Sequence, residues 1–154
     1  MDDDSDRRVV ERQLGRPPRA FRRVVVRCPF GRPAVTEQAA FDASGEPFPT
    51  TFWLTCPHLV AAVSRLEAAG GVERWSRAAA EDPELLASLE RAHEEQRRLR
   101  PELELGVGGA RPGAGSLKCL HAHAAFALAR PGYELGERIL AELDPVWPDV
   151  CCTP

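Results

Sequence analysis

Five cysteines and four histidines carry most of the chemical potential of this 154-residue chain. Cys28 and Cys56 each precede a proline, Cys119 is followed by His121 and His123, and Cys151 and Cys152 are adjacent near the far end. On a helix turning about 100° per residue, Cys119 and His123 share one face and His121 projects from the other side. Thiolate and imidazole together suit zinc, or iron in an iron–sulfur cluster. Cys28, Cys56, Cys119 and His123, with Cys151 or Cys152 as an alternate, are the expected metal ligands. No Cys-x-x-Cys is present, so the spacing matches neither a zinc ribbon nor a ferredoxin. The plain alternative makes Cys119 a small buried hydrophobe and His123 a hydrogen-bonded core histidine; the pair taken alone fits that better. Cys56 beside His58 could form an activated thiolate, although sequence neighbours are seldom a catalytic pair.

A rival site lies in the glycine-rich stretch 106–118, which leads towards the helix carrying Cys119. Free amides and the dipole at a helix N-terminus favour an anion, and Arg111 and Lys118 add positive charge. Gly108, Gly109, Arg111, Ser116 and Lys118 are the expected anion-binding residues. His121, between the two sites, is the one acid–base candidate, and no catalytic residue is assigned beyond it. The stretch is not a Walker loop, because no Gly-Lys-Ser/Thr closes it, and no βαβ unit precedes it. Its plain alternative is a linker between helices.

These groups need elements to position them. A short helix capped by Ser5 or Asp6 is expected up to Leu14, after an acidic start, so 1–15 reads as an appendage. Residues 16–150 read as one domain and 151–154 as a tail. Strands are expected at 22–28, 34–41 and 50–55, forming an antiparallel meander. From Pro57 the apolar period changes from two to 3.6, predicting helices at 57–69, 72–80, 83–99, 116–129 and 135–143. Asp82 followed by Pro83 is a strong helix start, and Ser116 is read as the cap of the helix through Ala129. The class is α+β: a small sheet at about 22–55, covered by helices at about 57–143. In a meander the strands ending at 28 and 55 finish on one edge, which would bring Cys28 and Cys56 towards Cys119. The charged helix at 83–99 reads as a solvated face, with a partner-binding helix as its alternative.

Composition narrows the classes. The net charge is −3 with a pI near 5.8, and the nineteen arginines are spread along the whole chain, so nothing gathers charge for nucleic acid. No apolar run approaches the ~20 residues needed to span a bilayer, and no secretory signal is legible at residues 2–8. The cytoplasm is therefore the expected compartment. Thiols stay reduced there, and an odd number of cysteines fits no disulfide framework.

Four segments carry a family resemblance. They are 27–35 (RCPFGRPAV), 48–57 (FPTTFWLTCP), 106–109 (GVGG) and 118–123 (KCLHAH). Together they resemble the bacterial family called domain of unknown function 501, over roughly residues 10–152. The resemblance implies a bacterial cytoplasmic protein and marks Cys28, Cys56 and the 119–123 run as part of the family pattern. It supplies no activity. The functional expectation is a small metal-binding protein (zinc or an iron–sulfur cluster). The alternatives are an enzyme or binding module for a small anionic ligand seated on 106–118, and a structural protein with an unnamed protein partner.

Overall fold

The computed structural model describes residues 3–113 and 115–153. The α+β expectation holds. Three antiparallel strands, β1 (Phe21–Arg27), β2 (Pro33–Gln38) and β3 (Phe52–Leu54), lie in that order, with β2 in the middle. The middle strand is shorter than expected from the sequence. Past Gln38 the chain forms a turn in which the Asp42 carboxylate accepts from the amides of Ser44 and Glu46. Residues 33–36 are all buried, so both faces of β2 are covered.

The first helix, α1 (Asp3–Leu14), packs on β1 and β2. It buries Val9 and Val10 apart from the main core, and an Asp6–Arg27 ion pair at 2.7 Å ties it to the end of β1. It begins before the expected caps Ser5 and Asp6, with Asp3, Asp4 and Asp6 all in its first turn.

Three helices follow: α2 (Pro57–Ala68), α3 (Gly71–Glu81) and α4 (Pro83–Leu99). Their starts are local chemistry. Pro57 and Pro83 occupy first-turn positions, where a missing N–H costs nothing. The Asp82 carboxylate accepts from the amides of Glu84 and Leu85.

The centre of the molecule is α5 (Leu120–Ala129), in which residues 122–127 are all buried. It packs between β3 and the last helix, α6 (Glu134–Ala141). Phe126 meets Phe52 of the sheet edge-on with ring centroids 5.6 Å apart, and Tyr133 edge-on at 5.7 Å. The close approach of α5 and α6 depends on Gly136. A Cβ there would lie 2.7 Å from the His123 carbonyl oxygen and from the Ala127 Cβ.

Candidate functional site

Two of the cysteines share one edge of the sheet. β1 and β3 run the same way on either side of β2, and Cys28 and Cys56 follow their last residues at one edge of the sheet. With β2 between them they stand about 10 Å apart, two strand spacings. Cys28 is buried in the core. Cys56 is the N-cap residue of α2 and is 2% exposed.

Cys119 does not join them. The N-terminal amide of α5, that of Leu120, is bonded to Glu67 near the C-terminal end of α2. Cys56 is at the other end of α2. Among the described residues no three His, Cys, Asp or Glu side chains gather closely enough to hold a metal ion. The expected convergence of Cys28, Cys56 and Cys119 is thus not formed.

His123 is a core residue. It has no solvent exposure. Its Nδ1 accepts from the Tyr133 hydroxyl at 2.7 Å, and its Nε2 donates to the Leu117 carbonyl at 3.3 Å. Both nitrogens are therefore engaged. Burial, then the neighbouring His93, pulls its pKa down to about 4, with the Leu117 carbonyl opposing them. Burial likewise lowers the pKa of His93, helped by Arg97. The His93 Nδ1 accepts from the Val107 amide at 2.9 Å, and its ring fills the space where a side chain on Gly106 would lie.

What does assemble at the sheet edge is a pair of sulfurs. Cys152 returns from the tail so that its Sγ lies 3.6 Å from the Sγ of Cys56. Burial, above all, pushes the Cys56 thiol up to about 11. Burial acts on Cys152 in the same sense. There, hydrogen bonds from the His58 amide, the Cys56 thiol and Thr153 outweigh it, and the net shift is downward. Of the two, Cys152 is the thiol that ionises more readily. The His58 ring does not activate Cys56; its Nε2 donates to the Pro145 carbonyl at 3.0 Å and holds the tail. Cys151 donates to the Thr153 carbonyl at 3.2 Å. Two cysteine sulfurs would be half of a zinc ligand set.

His121, the acid–base candidate, braces α5 on α2. Its Nδ1 is 3.1 Å from Glu67 Oε2, and its Nε2 is 3.2 Å from Ser64 Oγ and 3.3 Å from the Val60 carbonyl. The order Ser, His, Glu is that of a hydrolase triad. Ser64, however, sits inside α2, whose own hydrogen bonds consume the surrounding backbone amides that an oxyanion would need.

The expected anion site changes in two respects. Ser116 does not cap α5: the helix starts at Leu120, and the Ser116 hydroxyl accepts from the Lys118 amide at 3.2 Å. The place for an anion at the helix N-terminus is taken by the chain's own Glu67, which accepts from the Leu120 amide at 2.6 Å. Gly108 packs against Ala122 of α5.

The cations of the loop do face open space. Arg97, Arg111 and Pro112 separate two hollows. One, of about 360 Å³, is completed by residues including His93 and Glu90. The other, of about 690 Å³, is completed by residues including Pro49, Glu104, Gly109 and Lys118. Lys118 Nζ donates to the Gly109 carbonyl at 3.2 Å. On α4, Glu94 and Glu95 are paired with Arg98 and Arg130, while Arg97 and Arg111 make no ion pair among the described residues. Arg97 escaped sequence reasoning because it lies in a helix whose charges read as a solvated face. Arg16 over Trp53 and Arg19 over Phe48, lining a further hollow of about 510 Å³, also carried no spacing signal.

The molecule is thus an α+β protein with a thiol pair at one sheet edge and a cationic cleft between α4 and a glycine loop. The family model described as a protein of unknown function, DUF501, matches residues 24–105, more than half of the chain, and the chain belongs to that family. The matched stretch contains Cys28, Cys56, His93 and Arg97, and stops before the glycine loop, Cys119 and Cys152. No curated protein and no solved structure matches the chain. No helix among the described residues is long and apolar enough to cross a membrane.

Proposed function

We propose that this chain is a binding module for a small anionic molecule, held through its phosphate or carboxylate groups between α4 and the loop 106–118. The observation that carries this is the convergence of Arg97, Arg111 and Lys118 around one hollow in which Glu104 is the only lining carboxylate among the described residues. Two guanidinium groups without ion-pair partners can take an oxyanion in paired, charge-assisted hydrogen bonds. The hollow is within the usual size of a small-molecule pocket, about 300–1,000 Å³. The neighbouring hollow, where Arg97 and Arg111 face Glu90, has a smaller excess of positive charge and is the poorer seat. A resident metal draws no comparable support, since only two of the expected ligands meet.

Titration with inorganic pyrophosphate at low ionic strength tests the proposal, read by calorimetry and by amide shifts. Saturable binding is expected, with shifts at Gly106, Gly109 and Ala110. Arg97→Ala and Arg111→Ala should each weaken it about tenfold, the equivalent of one charge-assisted bond. Arg77→Ala, which removes an exposed arginine paired with Glu73, should leave it unchanged. No saturation up to millimolar ligand, or equal binding by all three variants, would overturn the proposal.

A further inference from the structure

Two sulfurs 96 residues apart in sequence lie at the N-terminus of α2 with 3.6 Å between them. A disulfide needs about 2.05 Å, so a displacement of roughly 1.5 Å would bring them to bonding distance. The partners are unequal. Cys56 is buried and fixed between β3 and α2, whereas Cys152 is exposed on a tail segment held by a few hydrogen bonds. Those bonds include Gln13 to Thr153 Oγ1 at 3.2 Å and His58 to the Pro145 carbonyl. An accessible sulfur beside helix amides, backed by a sheltered second thiol, is the arrangement that thiol–disulfide exchange requires.

We propose that Cys152 and Cys56 form a thiol–disulfide exchange site, Cys152 attacking and Cys56 resolving, whose oxidant is a low-molecular-weight disulfide. In the first step the Cys152 thiolate attacks one sulfur of the external disulfide. That S–S bond breaks, a mixed disulfide forms on Cys152, and one small thiolate leaves and takes up a proton. In the second step Cys56 gives up its proton and attacks the Cys152 sulfur. The mixed disulfide breaks, and the second small thiol departs carrying the proton that Cys56 released. Two protein thiols are oxidised and one external disulfide is reduced to two thiols. An excess of small thiol runs the sequence backwards. The oxidised form fastens the tail across the start of α2, and the reduced form leaves it on hydrogen bonds. The site is independent of the cationic cleft.

The experiment equilibrates the full chain with glutathione buffers of increasing oxidised fraction, quenches in acid, alkylates free thiols and maps the peptides. Two of the five cysteines should escape alkylation. One linked species should join the Cys56 peptide to the Cys152 peptide, and dithiothreitol should abolish it together with a rise in the thermal midpoint. Cys56→Ser should stop at the first step, with one glutathione on Cys152. Cys151→Ser should form the link as the parent does. Should Cys56→Ser fail to fold, Cys152→Ser still decides the matter: its substitution is at an exposed position, and it must leave all four remaining cysteines alkylated. Full alkylation of the parent chain in the most oxidising buffer would overturn the proposal. So would a link through Cys151, or a link between two chains.

Discussion

Acid should weaken this protein chiefly through His123. The folded chain holds that imidazole neutral, with both nitrogens bonded and no solvent contact, and its pKa lies at about 4. In the unfolded chain the same group titrates near the ordinary histidine value of ~6.5. Between these values the unfolded state binds more protons than the folded one, so stability is full above about pH 6.5 and falls as pH drops towards 4. The loss works out at about 2 kcal/mol at pH 5 and about 3 kcal/mol at pH 4, below which it levels off. His93, whose pKa burial also lowers, acts in the same direction. Urea unfolding followed by tryptophan fluorescence at several pH values from 7 to 4.5 measures this. His123→Gln removes the titrating group. It should lower stability at pH 7 through the lost Tyr133 bond, yet decline less steeply in acid. The reasoning fails if parent and variant lose stability in parallel between pH 7 and 5.

Three further outcomes are expected. Gly136→Ala should destabilise by about 1–3 kcal/mol in urea unfolding, because its new methyl would meet the His123 carbonyl and the Ala127 side chain at 2.7 Å. Asp6→Asn should cost about 1–3 kcal/mol, since Asp6 is 3% exposed and its ion pair with Arg27 is half-sheltered; amide exchange should quicken throughout α1 and stay unchanged in β2. Glu67→Gln should cost about 1 kcal/mol by removing the charge that caps α5, and the first-turn amides of that helix should exchange faster.

What was legible in the sequence was what depends on neighbours in the chain. Asp82 and Pro83 make a helix start whatever surrounds them, and the glycines at 70 and 71 end one helix and begin the next. The change of period at Pro57 separates sheet from helices for the same reason. The common edge of Cys28 and Cys56 followed from the meander alone. Ser116 carries a capping signature that α5 does not use, because the acceptor that caps the helix is Glu67, 53 positions before Leu120, and no local signal announces it. The placing of Cys119 depended on the length of α2 standing between it and Cys56. Cys152 could be named as an alternate ligand, but its contact with Cys56 depends on how the tail folds back. His123 shows the limit most clearly. A histidine four residues from a cysteine suits a metal or a core equally well, and Tyr133 and Leu117 decide between them.

The central position of α5 also bears on how the chain is made. Phe52 and Leu54 form one wall of the core, and the wall opposite is Phe126, about seventy residues later. At a synthesis rate of about 5–20 residues per second, the strands wait roughly 4–15 s for the helix that covers them. During that interval α2, α3 and α4 can form, but the apolar face of β3 has no lasting partner. A ribosome pausing within the glycine-rich stretch 106–115 would lengthen the wait, and the emerging sheet would stay uncovered for as long as the pause lasts.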